Sequence, residues 1–283
     1  MDTQPIINTI VEQLKHIDSV NAIVLGGSRA RGTHTPKSDV DLCIYYHPAH
    51  PLDLIALERV AAEIDDSHRA GLITPIGGWG PWINGGGWLT VQSQAVDFLS
   101  RDLSKVEKVI DDCLNGQVEM VYQPGHPHGF VSSIYLAEVA VCQPLWEADG
   151  QLSALKQRVV PYPQALQKAL IQKFVWEIDF ALGTGRKSIE RKDVTYAAGC
   201  CFRAVACMLQ VLFALNEEYW LNEKGALLIA DKFPLRPVNL KERIEEAFGL
   251  LSADGQSIAK ALDVIDAVNR DVSTLLTHLT HNK

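Results

Sequence analysis

The spacing of apolar residues changes period several times in the first half of the chain. Ile6, Ile10, Val11, Leu14 and Ile17 recur at helical intervals and predict a helix over roughly 5–17. The run VNAIVL, from Val20 to Leu25, stops at Gly26-Gly27, the pattern of a buried strand that ends in a tight turn. Residues 39–46 then alternate, with Val40, Leu42 and Ile44 on one face and Asp39, Asp41 and Cys43 on the other. A helix is expected over 52–70. The Gly- and Trp-rich stretch 76–88, with Pro81 and Asn84-Gly85, reads as a turn or hairpin tip. LTVQSQAVDFL, residues 89–99, is expected to be a third strand, and 104–114 a helix stopped by Asn115-Gly116.

From Val131 onward strand patterning gives way to helical periodicity. Pro161-Tyr162-Pro163 marks a junction, because each proline breaks a helix and restricts the residue before it. Helices are expected over 164–182, 188–215, 223–232, 240–250 and 258–279, with Gly183 and Gly185 punctuating the first pair. The predicted architecture is an α/β (α+β) domain with a mixed sheet over 1–158, followed by an all-α helical bundle over 159–283.

Composition narrows the possibilities. With 283 residues, 47% apolar and 21% charged, both domains can bury a core. No uninterrupted apolar run approaches ~18 residues, so no membrane span is expected. The first ten residues carry no basic-then-apolar leader pattern, so a cytoplasmic protein is expected. The net charge of −8 disfavours nucleic acid as a partner, since phosphate-backbone binding needs a basic face. The six cysteines are scattered without paired CxxC spacing, which suits buried reduced thiols better than a zinc site.

The chemistry concentrates in Gly26-Gly27-Ser28-Arg29-Ala30-Arg31-Gly32, followed by Ser38-Asp39-Val40-Asp41-Leu42. Glycines after a strand let backbone N–H groups approach a phosphate, Ser28 adds a hydroxyl donor, and a helix starting there would aim its positive end at the anion. Two carboxylates two residues apart on a strand project from one face. Hard oxygens on a rigid strand suit Mg²⁺, which keeps water and phosphate in the rest of its shell. Asp97, between Val96 and Phe98, is a candidate third carboxylate of a phosphoryl-transfer site. Arg31, beside Gly32, is a candidate to neutralise triphosphate charge, ahead of Arg29.

This pattern resembles the signature of the polymerase-beta-like nucleotidyltransferase superfamily, carried here by Gly27, Ser28, Gly32, Ser38, Asp39, Asp41 and Leu42. The resemblance implies that Gly27 and Ser28, with Ser38 beside them, hold nucleotide phosphates and that Asp39 and Asp41 bind Mg²⁺. It implies that Asp97 is the third acid, as metal ligand or as base. More distantly, the two-domain layout is similar to the aminoglycoside and lincosamide nucleotidyltransferases. The segment Asn222-Glu223-Lys224-Gly225-Ala226 looks like the stretch of the streptomycin/spectinomycin type that carries a phosphate-contacting lysine, which implies that role for Lys224. The expected reaction moves AMP from ATP, or the equivalent group from another nucleoside triphosphate, to a hydroxyl of a small acceptor such as an antibiotic. Two alternatives stand beside it: modification of a protein side chain, as in antitoxin-like nucleotidyltransferases, and nucleotide binding for regulation without turnover.

Other residues carry two readings each. Glu138, in an apolar helical context, can serve as a base or as a hydrogen-bonded structural acid. Trp79, Trp82 and Trp88 can form an aromatic lip that stacks on a ring or can brace a hairpin. His126 and His128 can be a metal or catalytic pair or two partly exposed histidines of a Pro-Gly loop, which could line the acceptor pocket; with no third ligand at clear spacing, the loop reading is the expectation.

Overall fold

The computed structural model describes residues 3–281 and divides into two compact units. The first comprises 1–114, 119–125 and 129–161, and the second 115–118, 126–128 and 162–283.

The first unit is built on a five-stranded mixed sheet in the order β3-β4-β2-β1-β7. Its strands are β1 (Ala22–Leu25), β2 (Val40–Tyr46), β3 (Gly86–Val91), β4 (Gln94–Asp102) and β7 (Gln143–Glu147). Only β2 and β4 pair in parallel; the other neighbours are antiparallel. β5 (Met120–Val121) and β6 (Phe130–Val131) form a separate two-stranded ribbon. The alternation of β2 sorts the faces. Val40, Leu42 and Ile44 join Val96 and Phe98 of β4 in a core with Ile6, Ile10 and Leu14 of α1 (Gln4–Leu14) and Leu57 and Ala61 of α3 (Leu54–Ile64). Asp53 caps α3, accepting from the Ile55 and Ala56 N–H groups at 3.0 and 2.9 Å. The remaining helices of this unit are α2 (Gly27–Arg31), α4 (Leu103–Leu114), α5 (Ile134–Val141) and α6 (Gln151–Val159).

Two expectations about strands are corrected. The single strand expected over 89–99 is the meeting of two: β3 and β4 form a hairpin turning at Gln92 and Ser93. Both residues have positive φ, 51° and 64°, the two-residue turn normally signalled by Asn-Gly. Here the Asp66 carboxylate holds the turn from outside, accepting from the Gln92 and Ser93 N–H groups at 2.7 Å each. Strand structure also persists beyond Val131. Gln143–Glu147 pairs with β1 at the sheet edge, where Pro144 is tolerated because one side of the strand needs no partner.

The second unit is helical: α7 (Gln164–Gly185), α8 (Val194–Leu215), α9 (Ala226–Ala230), α10 (Leu240–Leu250) and α11 (Gly255–His281). Ile258, Ala261, Leu262, Ile265, Val268 and Val272 make one buried stripe of α11. α8 is long and apolar enough to cross a membrane by length and composition, but most of it is buried. It begins at Asp193, whose side chain accepts from the Tyr196 N–H at 3.0 Å. All six cysteines are buried and free.

Candidate active site

The site is assembled where β1 hands over to α2 and where β2 begins. Gly27 takes φ of +59°, and a Cβ there would fall on the Asp41 carboxylate. No other residue suits the position, both for its backbone and for the closeness of that acid. The Gly26 N–H donates to the Asp41 carbonyl at 2.8 Å, so the glycine turn is stitched to the strand that bears the acid. Gly27 and Ser28 thus open a single-turn helix directly beside Asp41.

The register of the parallel pair then brings in the third candidate acid. Asp41 of β2 is the partner of Asp97 of β4. Partnered residues on neighbouring strands leave the sheet on the same side, so the two carboxylates stand on one face, opposite the core. Both are partly exposed, and Asp39, one residue before β2, is exposed. Among the described residues no group of three or more His, Cys, Asp and Glu side chains is gathered as a metal cluster. The donors present fit a hard divalent ion that needs one or two protein carboxylates and fills its shell with phosphate and water.

The loop entering β2 is braced by a residue whose role the sequence did not reveal. Arg29 donates from Nη2 to the Ser38 carbonyl at 2.7 Å and from Nε to the Asp39 carbonyl at 2.9 Å. Gln94 Nε2 adds a second bond to the Ser38 carbonyl at 3.1 Å. The Ser38 hydroxyl accepts from the Thr35 N–H at 2.9 Å and so closes the preceding turn. Arg31 lies in the last turn of α2 and is half-buried. The only hint of the Arg29 brace was an arginine one turn from the glycines, which equally fitted a phosphate contact.

Glu138 of α5 is taken up by an ion pair. Its two oxygens accept from Arg101 Nε and Nη2 at 2.8 and 2.7 Å, and the Arg101 side chain is only 2% exposed. Burial opposes the guanidinium charge, but Glu138 beside it more than offsets this and holds the arginine firmly protonated. Burial raises the Cys43 and Tyr45 pKa values far above their usual range, so these two neighbours of the pair stay neutral.

In the second unit Lys224 is exposed, just before α9. Its neighbour Glu223 is engaged: Oε1 accepts from the His128 N–H at 2.8 Å and Oε2 lies 3.2 Å from His126 Nδ1. His128 departs from the expected partial exposure. It is 3% exposed and packs against Phe174, with ring centroids 5.5 Å apart, and neither ring nitrogen has a hydrogen-bond partner. Burial, aided by the Arg203 charge, lowers its pKa to about 4.

Two family models match parts of the chain. Residues 131–224 match the model of a domain of unknown function (DUF4037). No curated protein matches the chain significantly. Among solved structures, a nucleotidyltransferase-like protein from Exiguobacterium sibiricum aligns over 100% of this chain and 81% of its own, at 11% identity and a TM-score of 0.44. Residues 7–76, which hold most of α1, the glycine turn, Asp39 and Asp41, match the model of the nucleotidyltransferase domain, so the chain carries a nucleotidyltransferase domain.

Proposed function

We propose that the protein transfers a nucleoside monophosphate from ATP, with Mg²⁺, to a hydroxyl of a small acceptor and releases pyrophosphate. The observation that carries this reading is the pairing of Asp41 with Asp97 on the face opposite the core, with the Gly27 backbone against Asp41. A bound Mg²⁺ would supply charge neutralisation at the phosphates. Asp39 and Asp41 would hold it, together with Asp97.

The chain's own residues divide the remaining work. Gly27 and Ser28 bring backbone N–H groups and a hydroxyl to the phosphates, with Arg31 close by. Arg29 and Gln94 hold the Ser38–Asp39 backbone, so the acids do not need to be ordered when substrate arrives. The acceptor oxygen forms a bond to the α-phosphorus. The bond from that phosphorus to the bridging oxygen breaks, and pyrophosphate leaves with the electron pair. The acceptor proton passes to the Asp97 carboxylate. Glu138 is the weaker candidate for that base, because both of its oxygens serve Arg101. The proposed role of Lys224 as a triphosphate contact rests on the sequence resemblance alone.

The test is incubation with ATP labelled at the α-phosphate, Mg²⁺ and a pool of hydroxylated metabolites and antibiotics. Label should move to one component with wild type and not with Asp41→Asn. Transfer of label by the mutant at the wild-type rate would refute the assignment.

A further inference from the structure

The row of partnered positions that carries Asp41 and Asp97 continues onto the next strand. Trp88 of β3 is the antiparallel partner of Asp97, so its indole leaves the sheet on the same face as both acids. β3 is the edge strand, and Trp88 is 62% exposed. Large aromatic side chains are usually mostly covered.

This exposed ring is held in place. Trp88 stacks on Trp79 with ring centroids 4.6 Å apart and planes inclined by 23°. Trp79 is anchored in turn, its carbonyl accepting from Gln123 Nε2 at 2.5 Å. The Trp79 ring rests on Gly86, where a Cβ would come within 3.0 Å of it and would also fall on the Phe98 carbonyl. The glycines of this stretch therefore let β3 lie close to β4 and let Trp79 lie under Trp88. One face of Trp88 is backed by a second indole, and the residue stays largely exposed at the position partnered with Asp97.

The order of the strands gives this platform a direction. Gly27 and Ser28 lie at the β1 side of Asp41, and Trp88 lies two strands away on the other side, beyond Asp97. Displacement at phosphorus is in line, so the attacking hydroxyl and the leaving pyrophosphate occupy opposite sides of the transferred group. If the glycine turn holds the phosphates, the acceptor approaches from the β4–β3 side. Neighbouring strands are about 4.8 Å apart, so a ring stacked over Trp88 would set a rim hydroxyl over the Asp97 carboxylate.

Resting on the transferase reading above, we propose that Trp88, backed by Trp79, is the acceptor platform, and that the acceptor is a hydroxyl-bearing molecule with a flat ring face. Stacking on the indole, with the Asp97 carboxylate at its edge, selects it. A nucleobase stacked on the same ring is the competing occupant, and it would couple Trp88 to ATP affinity.

The test uses the full chain with Mg²⁺ and a non-hydrolysable ATP analogue. Three probes are followed by ligand-observed NMR: 4-hydroxybenzyl alcohol (an aromatic ring), methyl glucoside (a saturated ring with a flat C–H face) and glycerol (no ring). Wild type should bind at least one ring probe and not glycerol, and the stronger of the two identifies the ring class. Trp88→Ala should weaken that binding about tenfold or more, the scale of a lost stacking contact, and Trp88→Phe should retain most of it. Affinity for the ATP analogue should be unchanged in both variants. Three results would each overturn the platform: no ring-probe binding by wild type, equal binding by Trp88→Ala, or a parallel loss of ATP-analogue affinity. Asp41→Asn separates the two levels. If it keeps full affinity for the Mg²⁺–ATP analogue, the transferase reading is what fails. If it loses that affinity while Trp88→Ala changes nothing, only the platform fails.

Discussion

Two places on one face of the sheet, four residues apart on the same two strands, have opposite fates. At one, Asp41 and Asp97 are partnered across β2 and β4 and remain open to solvent. At the other, Tyr45 and Arg101 are partnered in the same register but are buried. The strands and the direction of the side chains are shared. The difference is what lies over them: α5 delivers Glu138 to Arg101, and the Tyr135 ring lies 5.6 Å from the guanidinium carbon. A charge on this face is thus structural where α5 covers it, whereas Asp41 and Asp97 keep the partial exposure that the proposed chemistry needs. Strand alternation selects the face, and packing from distant segments selects the role.

The largest expected effect is at the open end. Asp41→Asn should lower turnover by roughly a thousandfold or more, the scale of losing a group that stabilises transition-state charge. Its melting temperature should be unchanged or slightly raised, because one of two neighbouring acids is neutralised. Pyrophosphate release and thermal melting on the same preparation would show whether activity and stability separate as expected. A large stability loss would erase the contrast between the two places.

The covered end should behave in reverse. Glu138→Gln leaves the buried Arg101 charge without its counter-ion and should cost about 3–5 kcal/mol of stability. The variant that remains folded should still transfer nucleotide. Replacing both partners, as Arg101→Met with Glu138→Leu, should recover most of the stability in denaturant titration. If the double variant were as unstable as the single one, the pair would matter for more than charge balance.

A buried ring whose nitrogens have no hydrogen-bond partner sharpens the point. His128 has its pKa lowered to about 4 in the folded protein, against 6.5 for the ordinary side chain. Between these values the unfolded chain binds the extra proton and the folded one does not. Stability is therefore full above pH 6.5 and falls as the pH drops from 6.5 toward 4, by a few kcal/mol in all. His128→Gln should flatten that part of the stability–pH curve measured by chemical denaturation. The smallest effect concerns Lys224, an exposed residue next to the engaged Glu223. If it contacts the triphosphate, Lys224→Ala should weaken ATP binding about tenfold or more in calorimetric titration without changing the melting temperature in the absence of ATP.

The glycine turn, the strand that begins just after Asp39 and bears Asp41, and the division into an α/β part and a helical part were legible along the chain. Each depends on local rules: glycine for positive φ, period two for a strand, period 3.6 for a helix. The hairpin at Gln92-Ser93 was not legible, because its turn lacks the usual Asn-Gly and is held by Asp66, 26 residues away. β7 was missed because a short edge strand containing proline has no pattern of its own until β1 provides its partner.

By itself the sequence determined that a Gly-Ser turn would precede a strand that begins between two acids and carries Asp41, because backbone sterics and side-chain alternation act over a few residues. Only the tertiary structure decided that Asp97 and Trp88 would line up beside Asp41, that Arg29 would brace the loop before it, and that Glu138 would pair with Arg101. Those outcomes depend on strand register and on which helix covers which part of the sheet. They are set by long-range packing, which no local pattern encodes.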